Sequence, residues 1–119
     1  MTNDECVALL PYFKIQTGKL DAFKGLCAQF LEKTKTEPGC LYYAFTFDGD
    51  MAHCREGYVD AQALLDHLQN VGALLGESLQ ISELYRLEAH GPERELEKLR
   101  HALAPFQPQY FKLDSGFRR

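Results

Sequence analysis

The chain has 119 residues, enough for one ordinary domain spanning 1–119 and too few for two. With 45% hydrophobic and 25% charged residues it reads as a plain globular protein, and its net charge of −4 with scattered Lys and Arg argues against a nucleic-acid partner. No run approaches the roughly 18 apolar residues of a membrane span, and the acidic start Met1-Thr2-Asn3-Asp4-Glu5 is unlike a signal peptide, so a cytoplasmic location is expected.

Val7 to Gln16 is the first predicted strand. Pro11, which cannot donate to a ladder, places that part at a sheet edge or a bulge. Leu20, Phe23, Cys27, Phe30 and Leu31 then recur at helical spacing, and this surface helix ends before Pro38-Gly39. Cys40 to Phe47 is an aromatic second strand, and Asp48-Gly49 is a strong hairpin turn leading into a third strand, Ala52 to Val59. Asp60 is the expected N-cap of a helix with the apolar stripe Ala61, Leu64, Leu65, Leu68 and Val71, with a break expected around Gly72 and Gly76. Leu79 to His90 is the fourth strand, with Ile81, Tyr85, Leu87 and Ala89 on one side. Gly91-Pro92 opens a third helix carrying Leu96, Leu99, Leu103 and Phe106, stopped by Pro105 and Pro108. Gln109 to Phe117 is a fifth strand, and Arg118-Arg119 a solvated tail.

The order β-α-β-β-α-β, followed by α-β, predicts an α+β fold. It is the ferredoxin-like split βαβ arrangement, an antiparallel sheet with helices on one face. Leu41, Tyr43, Phe45 and Phe47 alternate with Cys40, Tyr42, Ala44 and Thr46, so both sides of the second strand are apolar. Helices can cover only one side, which implies a second subunit on the other and hence a homodimer. Tyr42 and Tyr43 must point to opposite faces; Tyr43 is assigned to the cavity side and Tyr42 to the seam.

Glu37-Pro38-Gly39-Cys40-Leu41-Tyr42-Tyr43 resembles the Glu-Pro-Gly-Cys-x-x-Tyr segment of the antibiotic biosynthesis monooxygenase family. Glu56-x-Tyr58-x-Asp60, with Ala63-Leu64 and His67-Leu68, is similar to that family's strand end and following helix. The resemblance covers residues 7 to 90, and residues 91 to 119 look like an extension. It implies a dimeric α/β barrel with a pocket between sheet and helices in each subunit. It also implies a cofactor-independent monooxygenase that oxidises a small aromatic or quinol-type compound with molecular oxygen. Such chemistry needs a base, a dry pocket and a few donors. Tyr58 stands where the family more often has an indole, and the chain has no Trp. The second reading is therefore a barrel that binds a small apolar ligand without chemistry. A weaker third is haem binding, for which only His67 matches.

His67 is the candidate base or orienter, set beside the apolar stripe where an imidazole near its ordinary pKa can act at neutral pH; the plain alternative is a helix-surface His. Tyr58 is the second candidate catalytic residue, as a pocket hydroxyl, or else a core residue with a wet tip. Tyr43, Arg86 and Asn70 are the candidate substrate-binding residues. Arg86 is read either as an anion-stabilising donor or as the partner of Glu56 or Glu88, and Asn70 as a substrate orienter or a helix-end cap. His53-Cys54 would face opposite ways, and His90 and His101 have no ligand spacing, so no metal site is expected. Cys6, Cys27, Cys40 and Cys54 form no CxxC pair and are expected as reduced, mostly buried thiols.

Overall fold

A computed structural model describes residues 4–119; residues 1–3, the beginning of the acidic start, lie outside them. The chain runs β1 (Val7–Ile15), α1 (Leu20–Thr34), β2 (Cys40–Asp48), β3 (Met51–Tyr58), α2 (Ala61–Gln80) and β4 (Ser82–Gly91). The extension adds α3 (Glu93–Glu97), α4 (Arg100–Leu103), a 3-10 turn (Ala104–Phe106) and β5 (Gln109–Lys112). The strands lie in the order β2-β3-β1-β4-β5. The first four pair antiparallel, and β5 joins β4 in parallel. The fold is thus the α+β, ferredoxin-like arrangement expected from the element order, with a sheet made mixed by its last strand.

Local chemistry explains the joints. Gly49 takes φ 60°, a left-handed conformation that glycine adopts without a Cβ clash, and turns β2 into β3. Asp60 caps α2 as expected, its carboxylate accepting from the Ala63 amide at 2.9 Å. A second carboxylate, that of Glu95, accepts from the Ala61 amide at 3.0 Å and so ties the extension to the same helix start. Val7, Leu9, Tyr58, Leu64, Leu87, Ala89, Leu96, Leu99 and Leu103 form the largest core cluster. Each large side chain buried there contributes about 2 kcal/mol.

Several expectations are corrected by how strands are paired. β1 lies in the middle of the sheet, so Pro11 is not at an edge. It sits instead where Cα pairing to β3 lapses at Leu10 and Pro11, next to a register shift against β4 between Tyr12 and Phe13. That bulge skips Tyr85, which therefore turns outward at 47% exposure, while Leu84 joins the inner core. A second register shift between Cys40 and Tyr42 puts Leu41 on the outside and lets Cys40 pack against the core. β2 is an edge strand, and Leu41 and Tyr42 stand 41% and 46% exposed in the single chain. The helix α2 does not break at Gly72 or Gly76. Each glycine costs roughly 1 kcal/mol in a helix, and the buried Val71, Leu74 and Ser78 between and beyond them outweigh that. The same helix takes up Leu79 and Gln80, so the fourth strand begins later than expected. The third helix is broken into short turns, and the fifth strand ends at Lys112. Cys27 and Cys54 are buried thiols, Cys6 and Cys40 are half-buried, and all four are free.

Candidate functional site

The inner face of the sheet and the helices α1 and α2 enclose an apolar cavity whose polar wall is Glu56, His67, Tyr43 and Cys54. It holds about 50 Å³ of free space, room for a few waters. Period-two alternation puts Cys54, Glu56 and Tyr58 of β3 on this same inner face. On α2, Leu64, His67, Val71 and Leu74 are the buried stripe, so His67 belongs to it and is only 3% exposed. A helix-surface position for His67 is thereby corrected.

His67 lies between two carboxylates. Its Nδ1 is 3.0 and 2.9 Å from the two oxygens of Glu37. Its Nε2 is 3.6 Å from Oε1 of Glu56. An ionised carboxylate only accepts hydrogen bonds, so Nδ1 carries the proton and Nε2 presents its lone pair towards Glu56. Glu37 is placed by the turn after α1. Gly39 passes so close to α2 that a Cβ there would stand 2.6 Å from Ala63 Cβ, one turn before His67. Asn70 secures the same carboxylate, donating from Nδ2 to Glu37 Oε2 at 2.7 Å and to the Lys33 carbonyl at 3.0 Å. Asn70 lies mid-helix, which corrects its reading as a helix-end cap.

The two carboxylates differ in kind. Glu56 is 4% exposed, and burial pushes its pKa up to about 8, although donors on Tyr58 and Cys54 pull it back. It is a protonated acid at neutral pH. The Tyr58 hydroxyl donates to Glu56 Oε1 at 2.6 Å. Burial lowers the pKa of His67 below its ordinary value against the opposing pull of Glu37, so the imidazole is neutral. Burial likewise raises Tyr43, Tyr58 and Cys54, and all three keep their protons. The rings of Tyr43 and Tyr58 each lie 5.2 Å from that of His67.

Of the residues singled out in the sequence, His67, Tyr58 and Tyr43 meet at this cavity, and Asn70 stands one hydrogen bond behind it. Arg86 is on the opposite sheet face, 47% exposed and bonded to Glu88 and Gln109. It pairs with Glu88, not Glu56. Sequence reasoning left out Glu37 and Glu56 as site residues. Glu56 was detectable as an acid flanked at i−2 and i+2 by the inward Cys54 and Tyr58; Glu37 had only its turn motif. Among the described residues no three His, Cys, Asp or Glu side chains are arranged to hold a metal ion.

No family model matches the chain, and no curated protein matches it. Among solved structures, it is similar to MupZ from Pseudomonas fluorescens at 50% identity and a TM-score of 0.92, over 97% of this chain and 95% of that one. It also shares its fold with a protein from Nitrosomonas europaea named as an antibiotic biosynthesis monooxygenase, at 14% identity and a TM-score of 0.65, covering 75% and 89% of the two chains. Another so named, from Chloroflexus aurantiacus J-10-fl, matches at 17% identity and a TM-score of 0.62, over 73% and 92%.

Proposed function

The chain belongs to one family with MupZ and carries the fold of the antibiotic biosynthesis monooxygenases, and on that premise we propose that it is a general acid–base enzyme. Its substrate is an uncharged, mostly apolar molecule with reactive oxygens, whose reacting end is held in the cavity. The observation that supports this is the line Glu37–His67–Glu56, a neutral imidazole set between a fixed carboxylate and a protonated one. Glu56 gives its proton to a substrate oxygen as a C–O bond opens or a carbonyl is polarised. His67 Nε2 takes a proton from a hydroxyl of the substrate or of water as that oxygen bonds to the carbon being opened or polarised, and Glu37 stabilises the imidazolium. The imidazolium then returns its proton to the Glu56 carboxylate through one water, because the 3.6 Å between Nε2 and Oε1 exceeds hydrogen-bond reach, and both groups are reset. Proton count is conserved and no electrons are transferred, so the class is redox-neutral: opening or closing an oxygen ring, or isomerisation. The steps require no metal, flavin or haem.

Oxygenation of an aromatic or quinol-type compound is the second reading, favoured by the names of the fold relatives and by the aromatic wall around His67. There His67 removes a phenolic proton and the anion reacts with oxygen. The Glu37 carboxylate behind the imidazole, with Arg86 on the far side of the sheet, disfavours the accumulated anion that this route needs. A panel of neutral epoxides, hydroxy-enones and hydroquinones, followed by mass spectrometry and an oxygen electrode, separates the readings. An isomer or hydrate without oxygen uptake, lost in Glu56→Gln, supports the first. Oxygen uptake with an oxygenated product supports the second, and ligands bound but returned unchanged would indicate a binding module.

The outer sheet face takes a second copy of the chain in this reading. Tyr42, Tyr85 and Phe111 stand 46%, 47% and 37% exposed on β2, β4 and β5, aromatic side chains that a second copy would cover. Light scattering tests it: a dimer is expected for the natural chain and a monomer for Tyr42→Glu/Tyr85→Glu. A natural chain that is monomeric overturns it.

A further inference from the structure

We propose that the surface groove between α2 and the α4/3-10 segment is the second half of the substrate site, holding an uncharged apolar chain whose reactive end lies at Glu56 and His67. The inference rests on the cavity being the reaction site, and it names the kind of molecule that reaches it. The cavity itself holds about 50 Å³, too little for more than the reacting end of a molecule. On the other side of its wall lies an open groove of about 530 Å³. Leu68, Leu75 and Phe106 line both spaces, so a single apolar partition separates them.

The partition is of the kind that can part. Phe106 ends a 3-10 turn of three residues, and Gln107 follows at φ 50°, so no long helix has to break for the ring to swing. The groove's chemistry selects its occupant. Its floor is apolar, and its rim is Gln62, Asp66 and Gln69, with Gln62 donating to Asp66 at 2.9 Å. Among the described residues Asp66 is the one charged residue lining it, and its sign repels an anionic chain. Gly72 lines the groove, and the space where its Cβ would stand is open. A larger residue there would fill the groove.

The test is calorimetric titration of the full chain with straight-chain primary alcohols from hexanol to dodecanol. Each added methylene that enters the groove should raise affinity about fourfold until the groove is full. In Gly72→Leu the gain with length should disappear, while the melting temperature stays equal or rises because Leu is the better helix former. Affinity that does not grow with length, or growth that persists in Gly72→Leu, overturns the proposal. Glu56→Gln separates the two readings. If its length dependence is intact, the groove stands whether or not turnover is lost; turnover intact in that variant would sink the acid–base reading alone.

Discussion

Two glutamates on the same sheet carry opposite chemistry because they face opposite sides. Glu56 points inward, and burial raises its pKa to about 8. Glu88 points outward, where hydrogen bonds from His90 and Arg86 hold its carboxyl below the ordinary range. Both have partners within reach, so pairing does not distinguish them. The dry helix-covered face makes a protonated acid, and in the single chain the outer face makes an ordinary ion pair. Protonation follows the face.

The most severe way to break this comparison is to remove the acid. Glu56→Gln is expected to lower kcat by about 10²–10⁴-fold, whereas Glu88→Gln leaves it within about twofold; steady-state rates on a substrate found by the panel check both. The pH profile should be a bell, falling below the lowered His67 pKa and again above about 8 as Glu56 ionises.

Stability sharpens the contrast. Glu56 keeps its proton in the folded state after the unfolded chain has lost it, so its contribution is full below pH 4.5 and lost as pH rises to about 8. Urea melts between pH 6.5 and 8 should show stability falling by up to roughly 1.4 kcal/mol per pH unit, and Glu56→Gln should flatten the slope. Glu88 has the reverse sign: its folded pKa is lowered, so its contribution is present at neutral pH and lost on acidification. Glu88→Gln should change only the acid side.

Smaller effects come from the supporting donors. Asn70→Ala frees Glu37 and should lower kcat about tenfold with KM unchanged, by loosening the imidazole's orientation. Tyr58→Phe removes a donor that lowers the Glu56 pKa, so the basic limb of the activity bell should move upward, with about 1 kcal/mol of stability lost. On the outer face, Arg86→Ala made in the Tyr42→Glu/Tyr85→Glu chain should cost less than about 1 kcal/mol in urea melts, as exposed ion pairs do. A basic limb that does not move in Tyr58→Phe would detach Glu56 from the rate.

The sequence by itself determined the order of elements, the Asp48-Gly49 hairpin, the Asp60 cap and the candidacy of His67, Tyr58 and Tyr43. These are local signals: turn chemistry, helical spacing and period-two alternation all act within a few residues. Tertiary structure alone decided which way Leu41, Leu84 and Tyr85 face, because a bulge shifts the alternation by one residue and depends on the partner strand. It also decided that α2 stays whole past Gly72, since packing on Val71 and Leu74 exceeds glycine's local preference. The acid–base line itself is non-local: Glu37 reaches His67 across 30 residues. Only burial of the whole face between sheet and helices turns Glu56 from a carboxylate into an acid.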